Sequence, residues 1–405
     1  MSPRLSQVSL SRCRDYQQAH LGQAVKEVLS SLPALPFKKG DRVLLKPNCL
    51  SSHHGPEKPV NTRPEVVEEV GRYLKDYYGV ELLIADSGGM GSYGRTRRTY
   101  ALLGLEALAD RLEARLVNLE ERGLISVKSP GGKIVPVFKA TSLLNEIEAI
   151  VNLPKLKTHL LTGITGAIKN SLGLLPGSLK RDVHRLALNG SDMAQALVDI
   201  YQGLKIKVPF VLQVMDGIMA MEGAGPVQGT SRSVGWILAS TDPVAMDVAT
   251  ATIMGFNPGR IATITLAAAA GLGEADPSNI RLQGAAWEEL PVQGFKRPFS
   301  QARQWLGKLL PPKLAGRALD WLTEARPRPN PDGCQLCGLC VQACPAEALS
   351  FEGKKLVLTK SNCIECYCCL EHCPGEGLWV PRGLKDKVMG KGGRASVPDH
   401  RLNGF

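Results

Sequence analysis

The chain has 405 residues, of which 44% are hydrophobic, and a formal net charge of +11 at pH 7. This length excludes a small secreted domain held together by disulfides, and it allows one large or two ordinary hydrophobic cores. Aromatic side chains do not interleave the basic residues as a nucleic-acid surface requires, and no apolar run has the position of a signal peptide or the roughly 18 residues of a membrane span.

The first 285 residues alternate strand-like and helix-like stretches, which predicts an α/β domain with a mainly parallel sheet covered by helices. Apolar runs predict strands at residues 8–11, 42–46, 80–85, 115–119, 146–153, 209–216, 234–240 and 280–283. Helical spacing predicts helices at residues 16–32, 64–78, 100–114, 162–174, 192–205, 243–254 and 261–270.

Composition changes after residue 285. Residues 286–330 combine lysines and arginines with apolar stretches on either side of Pro311 and Pro312, which predicts two short amphipathic helices and a stiff proline-rich linker. We expect this segment to pack as a strap on a neighbouring domain, and docking on an anionic membrane surface is the alternative. Residues 383–405 are basic and glycine-rich, which predicts a disordered tail.

Eight cysteines between residues 331 and 382 repeat one spacing, C-x2-C-x2-C-x3-C-P, twice. This is the spacing of bacterial ferredoxins that hold two [4Fe–4S] clusters. Zinc sites usually combine two C-x2-C pairs or include histidine, and neither arrangement accounts for the third cysteine, the fourth cysteine and the proline. We therefore predict a small α+β ferredoxin-like domain at residues 331–382 with two [4Fe–4S] clusters, in a reducing and hence cytoplasmic compartment.

The fourth cysteine of each repeat leaves its loop on a short helix and is expected to reach the other cluster. The predicted ligands of one cluster are Cys334, Cys337, Cys340 and Cys373, and those of the other are Cys363, Cys366, Cys369 and Cys344. Residues 349–358, with Gly353 at the turn, are predicted to form the hairpin between the two halves. Cys368, which precedes Cys369, remains as a packed thiol, or as a ligand that exchanges with a neighbouring cysteine.

Polar residues of the predicted large domain follow its apolar strands, where open α/β sheets bind their ligands. The residues predicted to bind a small anionic substrate are Lys46, Asn48, Lys169, Asn170 and Asp242. The predicted catalytic residues are His159, Lys157, Asp86 and Asp216. Lysines would hold the anion, His159 would act as a general acid or base, and the carboxylates would orient the substrate or hold a metal. Each residue alone is equally typical of a solvated edge or a helix cap.

Six short segments together resemble the motifs of the domain-of-unknown-function family numbered 362. They are Lys46-Pro47-Asn48, Asp86-Ser87-Gly88-Gly89, the segment 154–159, Lys169-Asn170, Asp216-Gly217 and the segment 240–247. The resemblance runs from about residue 7 to residue 272, and many members of that family carry a C-terminal two-cluster ferredoxin domain. It implies this architecture and marks the polar positions as the site, but it implies no substrate.

Three hypotheses follow for the function. The first is an iron–sulfur oxidoreductase that acts on a small anionic substrate with electrons from a redox partner protein. The second is an electron-transfer adaptor that docks on a partner enzyme through its basic surface. The third is that the clusters are structural or sensory. No phosphate-binding loop or dinucleotide-binding motif is present to suggest a nucleotide.

Overall fold

The computed structural model describes residues 5–89, 95–298 and 326–381. The strands of the large domain are β1 (Ser6–Arg12), β2 (Arg42–Pro47), β3 (Glu81–Ile84), β4 (Arg115–Leu116), β5 (Leu124–Lys128), β6 (Val137–Thr141), β7 (Ala149–Leu153), β8 (Lys155–His159), β9 (Gly163–Ile164), β10 (Phe210–Glu222), β11 (Thr230–Ser240) and β12 (Ile280–Gln283). Its helices are α1 (Gln18–Ser30), α2 (Pro64–Tyr78), α3 (Arg95–Leu103), α4 (Leu105–Leu112), α5 (Gly166–Asn170), α6 (Leu179–Leu186), α7 (Gly190–Lys207), α8 (Pro243–Ile253) and α9 (Ala262–Ala269).

One mixed sheet organises this domain, in the order β12-β1-β11-β10-β7-β2-β3-β4, with β8 and β9 added beside β10. Strands β10, β7, β2, β3 and β4 pair in parallel, whereas β11 runs antiparallel to both β1 and β10. The prediction of an α/β domain with a mainly parallel sheet is therefore confirmed. The carboxyl ends of the parallel strands lie at one edge of the sheet, where ligands bind in such folds.

Helices cover both faces of the sheet, and the side chains of a strand alternate between two cores. In β2, Leu44 packs in one core, whereas Val43 and Leu45 pack in the other. All three side chains are fully buried. This explains why the strand reads as an uninterrupted apolar run rather than as an alternating one.

Several elements differ from the sequence-based expectation. The helix predicted at residues 100–114 is two helices, because Gly104 adopts a left-handed conformation between them with φ of 64°. The segment 162–174, predicted as one helix, forms β9, α5 and a final 3-10 turn. The hairpin of β5 and β6 and the helix α6 were not predicted. No helix within the described ranges is long and apolar enough to cross a membrane.

The C-terminal part of the chain forms a ferredoxin-like module, described here over residues 326–381. Its elements are β13 (Arg328–Pro329), α10 (Leu339–Ala343), β14 (Leu349–Glu352), β15 (Lys355–Leu358), α11 (Cys368–His372) and β16 (Leu378–Trp379). The predicted hairpin is confirmed, since β14 pairs antiparallel with β15. The ends of the module meet in the antiparallel pair of β13 and β16.

The module packs directly on the α/β domain. Leu160 of the α/β domain belongs to the apolar core of the module, together with Tyr367 and Leu370. Arg181 of α6 donates a hydrogen bond to the carbonyl of Gln342 at 3.2 Å. Of the predicted basic strap, residues 299–325 lie outside the described residues, and so does the predicted tail at 383–405.

Candidate metal centre

Four cysteines surround one cavity of the module. Cys334, Cys337, Cys340 and Cys373 line it together with apolar side chains such as Phe351, Leu356 and Leu378. These are the four residues predicted for one cluster, and we call them the first cysteine group. None of the eleven cysteines, all of which lie within the described residues, is paired in a disulfide. Four thiols around an apolar cavity fit a cubane cluster that is held by thiolates.

The other four predicted ligands, Cys344, Cys363, Cys366 and Cys369, form the second cysteine group. Burial raises the pKa of the Cys369 thiol well above its usual value, and the nearby sulfurs of Cys366, Cys344 and Cys363 raise it further. Cys366 and Cys369 are each 8% exposed, whereas Cys337 of the first group is exposed to solvent. Cys340 of the first group is 7% exposed, so the two groups differ mainly in the exposed Cys337 of the first group.

The loops of the two cysteine groups have the same backbone shape. In the first loop, Leu336 and Gly338 have positive φ angles of 52° and 73°. The corresponding residues of the second loop, Glu365 and Tyr367, have φ of 55° and 63°. Left-handed residues between the cysteines curl the loop, so that three thiols converge on one point. The repeated spacing in the sequence thus corresponds to a repeated local structure.

Behind the second cysteine group lies a set of polar residues from the sheet edge, which we call the polar layer. It consists of Lys46, Asn48, Asp86, Asn152, Lys157, His159, Lys169 and Asn170. Seven of the nine residues predicted as catalytic or substrate-binding belong to it, and the remaining two, Asp216 and Asp242, do not. Helix α5, which follows β8 and β9, brings Lys169 and Asn170 back to the carboxyl ends of β2 and β7.

A buried ion pair lies at the base of the polar layer. Lys46 Nζ donates to Asp86 Oδ1 at 2.7 Å, and the two side chains are 0% and 3% exposed. The second carboxylate oxygen accepts from the backbone N–H of Cys49 at 2.7 Å. Cys49 itself is fully buried, and burial raises the pKa of its thiol well above the usual value. This supports its interpretation as a structural thiol rather than a nucleophile.

Gly173 closes over this ion pair, and a methyl group at that position would have no space. A Cβ atom at Gly173 would lie 1.8 Å from Asp86 Oδ1 and 2.6 Å from Lys46 Nζ. We expect Gly173→Ala to lower the free energy of unfolding by about 1–3 kcal/mol, because the buried pair must be displaced. Chemical denaturation measures this, with Gly123→Ala as the control, since its Cβ would lie 3.6 Å from the nearest atom, Ser142 Oγ. Equal effects of the two substitutions would contradict the packing described.

A chain of amide side chains connects the lysines of the polar layer. Lys157 Nζ donates to Asn48 Oδ1 at 2.6 Å and to the carbonyl of Val60 at 2.5 Å. Asn48 donates to Asn170 at 3.0 Å, and Asn170 donates to Asn152 at 2.8 Å. Burial lowers the pKa of Lys157 well below its usual value, and the charge of Lys169 lowers it further. The layer is thus preorganised by hydrogen bonds, with two lysines close to each other.

The polar layer meets the module at His159. Its Nε2 lies 3.3 Å from Oε1 of Glu371, a residue of α11 between two predicted cluster ligands. Burial lowers the pKa of His159 to about 4, and the charge of Lys169 adds to this effect. Burial raises the pKa of Glu371, but the adjacent His159 ring and the charge of Lys169 outweigh burial and hold it at about 2. A carboxylate beside the second cysteine group therefore faces a neutral imidazole at pH 7.

Asp216 does not belong to the polar layer. The strand predicted to end at this residue continues to Glu222, so Asp216 lies inside β10, beside β8. There it forms a fully buried ion pair with Lys155 at 2.7 Å and accepts a hydrogen bond from Tyr16 at 2.8 Å. This arrangement stabilises the junction of β8 and β10 and keeps the Asp216 carboxylate away from the module.

Asp242 lies at the other edge of the sheet. Because β11 runs antiparallel to its neighbours, its carboxyl end lies near Ser6, where β1 begins. The carboxylate caps α8 through the backbone N–H groups of Val244 and Ala245, and it also accepts from Ser6 and Glu274. Asp242 is thus a helix cap and not part of the layer near Lys46.

Asp247 caps another helix and should give the protein a specific pH dependence. Its carboxylate accepts from the N–H groups of Ala167 and Ile168, while burial raises its pKa to about 7. The folded state therefore binds a proton that the unfolded state releases near pH 4, and stability falls as the pH rises from about 4 to 7. We expect this group to contribute a decrease of about 4 kcal/mol over that range, absent in Asp247→Asn. Denaturation at a series of pH values measures the difference between the two proteins, and parallel curves would contradict it.

Sequence reasoning missed His184, Glu371 and His372, which lie beside the second cysteine group. It also missed Lys180, which lies near Asp86 of the polar layer. Lys180 Nζ donates to the carbonyls of Ser87 and Gly88 at 2.8 and 2.9 Å. His184 and His372 are each 3% exposed, and burial lowers the pKa of both to about 4. One signal in the sequence points to two of these residues: Glu371 and His372 are a charged residue and a histidine that lie between the predicted ligands Cys369 and Cys373.

Comparison with known protein families defines the class first. The model of the 4Fe-4S dicluster domain matches residues 326–374, so this is an iron–sulfur protein with a ferredoxin-like domain. The model of the domain of unknown function DUF362 matches residues 43–252, slightly over half of the chain. The chain therefore belongs to the DUF362 family, as its motifs indicated.

One curated relative and two solved structures are similar to the chain. A thylakoid-associated protein of Synechocystis sp. is 31% identical over 293 residues, which are 72% of this chain and 87% of the relative. A crystal structure from Thermotoga maritima shares 12% identity with a TM-score of 0.36, over 64% of this chain and 60% of that one. The lactate racemase apoprotein from Thermoanaerobacterium thermosaccharolyticum shares 14% with a TM-score of 0.33, over 54% and 52%. The chain thus spans less than two thirds of either structure, and neither bears on its function.

Proposed function

We propose that this protein holds two [4Fe–4S] clusters, one in each cysteine group, and is an oxidoreductase for a small anionic substrate bound at the polar layer. The clusters supply electrons one at a time. The observation that carries the proposal is the contact of His159 with Glu371, because it places the polar layer directly against the second cysteine group. A substrate bound at the polar layer could receive electrons from the second cluster without another electron carrier between them.

The charges of the polar layer favour an anion. Lys46 is neutralised by Asp86, but Lys169 is half-buried and donates no hydrogen bond within the described residues. Burial lowers the pKa of Lys169, and the negative charge of Glu371 opposes that shift. A cation that is largely removed from water and has no direct partner is a good binding group for a carboxylate or an oxyanion. Neutral His159, next to it, can accept or return the proton that accompanies an electron.

The exposure of the two cysteine groups gives the electron path a direction. Electrons enter at the first group, where Cys337 is exposed and Leu336 is 45% exposed, so that a redox partner protein can reach it. They leave through the second group, because Glu371, which follows Cys369, contacts His159 of the polar layer. Eleven described cysteines without a disulfide fit the reducing cytoplasm as the proposed compartment.

The test is a redox titration of the anaerobically purified protein, followed by EPR, with a panel of small carboxylates and inorganic oxyanions. We expect one anion to shift the signal of one cluster, and we expect Lys169→Ala and His159→Gln to abolish the shift. Lys354→Ala is the matched control, since Lys354 is exposed on the turn between β14 and β15. If no anion shifts either signal, or if all three variants respond alike, the proposed substrate site is wrong.

An electron-transfer adaptor is the second candidate. It is favoured by the internal pairing of the buried lysines, since Lys46, Lys155 and Lys157 already have partners inside the protein. In that case the net charge of +11 would bind an acidic partner protein, and association would weaken steeply as salt is added. Salt-dependent binding to a redox partner without any effect of small anions would select this function over the first.

A further inference from the structure

We infer that His184 of helix α6 donates a hydrogen bond to the sulfur of Cys366 when the second cluster is bound, and that this bond raises the reduction potential of that cluster. The inference rests on the proposed second cluster. It gives the α/β domain a direct effect on the electron that is delivered to the polar layer.

The position of His184 supports the proposed hydrogen bond to Cys366. A nitrogen of its ring and the sulfurs of Cys366 and Cys368 all lie within 4.8 Å of one another. The residue is 3% exposed, and its Nδ1 is buried without a hydrogen-bond partner among the described residues. A buried polar group that lacks a partner lowers the stability of the folded state, so native proteins seldom retain one.

Cluster binding would supply the missing acceptor. A cysteine that ligates iron is deprotonated, and its sulfur then carries negative charge that can accept an N–H donor. Groups that hydrogen-bond to the ligands of a metal orient them and tune the metal. His184 comes from α6 of the α/β domain, so this donor is present only while the module is packed on that domain.

The sign of the effect follows from charge. A reduced cluster carries one more negative charge than an oxidised cluster, so a hydrogen-bond donor at its sulfur stabilises the reduced state more. Removing the donor should therefore make reduction harder. The first cluster should keep its potential, because the cysteines that lie beside the His184 ring are Cys366 of the second group and its loop neighbour Cys368.

A separate metal site of His184, Cys366 and Cys368 is the main alternative for these three residues. It would take Cys366 away from the ferredoxin spacing that all three cysteines of its loop share. The hydrogen bond and the separate metal site predict different metal contents, because a separate site would hold a metal ion in addition to the iron of the clusters.

The experiment compares His184→Leu, which removes the donor, with His184→Gln, which retains an N–H group. We expect His184→Leu to make reduction of one cluster about tenfold less favourable, which lowers its reduction potential by about 59 mV for a one-electron couple. His184→Gln should lower that potential by less. The control is Arg185→Leu on the same helix, since Arg185 is exposed and should leave both potentials nearly unchanged. Unchanged potentials in His184→Leu, or equal shifts of both clusters, would overturn the inference.

If a His184 variant loses its cluster, its reduction potential cannot be measured, and two further measurements then test the inference. Pulsed EPR of the reduced wild-type protein labelled with ¹⁵N-histidine should show a histidine nitrogen coupled to one cluster, and its absence would overturn the inference. Metal analysis should give about eight irons and no other metal. About four irons would refute the second cluster and with it the proposed function. Eight irons without a histidine coupling would refute this inference alone. Stoichiometric zinc would indicate the separate metal site.

Discussion

Asp86→Asn should lower the free energy of unfolding of the α/β domain by about 3–5 kcal/mol, the effect of breaking a buried ion pair from one side. The substitution keeps the shape of the side chain but leaves Lys46, which is 0% exposed, without its counter-ion. It also weakens the acceptor for the Cys49 amide. Anaerobic urea denaturation followed by tryptophan fluorescence measures the effect, because Trp236 is buried in the same domain.

The matched control for this prediction is Glu148→Gln, which breaks an ion pair at the surface. Glu148 pairs with Arg42 at 2.8 Å, and the two side chains are 44% and 46% exposed. Water and salt screen such a pair, so its loss should have a much smaller effect. Similar denaturation midpoints for the two variants would show that Lys46 is not held in the dry environment that the structure describes.

Cys366→Ser should reduce the iron content of the anaerobically purified protein from about eight atoms to about four, with the second cluster lost. A serine hydroxyl is a poorer iron ligand than a thiolate, and the other three cysteines of the second group cannot complete the coordination. The first cysteine group shares no ligand with the second in the proposed assignment, so its cluster and EPR signal should remain. Iron analysis and EPR measure both outcomes.

Cys368→Ser is the control for this experiment and tests the remaining cysteine. Cys368 is fully buried, and its thiol lies 3.8 Å from the carbonyl of Cys366. If it is only a packed thiol, the variant should retain about eight irons. Loss of half the iron in Cys368→Ser together with retention in Cys366→Ser would mean that Cys368, and not Cys366, is the cluster ligand.

The parallel sheet could be predicted from the sequence because its central strands are buried on both faces. The run 42–46 is apolar apart from its charged ends, and Pro64 marks the start of α2, so both elements were placed within a residue or two. The two missed elements had weaker signals. Strands β5 and β6 have exposed side chains at alternate positions, and α6 is rich in charged residues, so neither contains a long apolar run.

Most of the polar layer could be predicted from the topology of the sheet, since residues after parallel strands meet at one edge. Asp242 was assigned wrongly to that edge because the direction of β11 depends on pairing between distant strands, which no local pattern reveals. The contact of His159 with Glu371 was also beyond prediction. The two residues lie more than two hundred positions apart in the sequence, and packing between domains leaves no periodic signal in either.

The position of His184 of helix α6 beside Cys366 would set the order in which the proposed clusters are inserted into the newly made protein. Proteins that deliver iron–sulfur clusters must reach the thiols that receive them, and Cys366 and Cys369 are each only 8% exposed once the module is docked. The module should therefore accept its clusters before it packs on the α/β domain. Docking would then seal the inner cluster away from oxygen, and a chain that docked empty would have to separate its two modules again before it could be repaired.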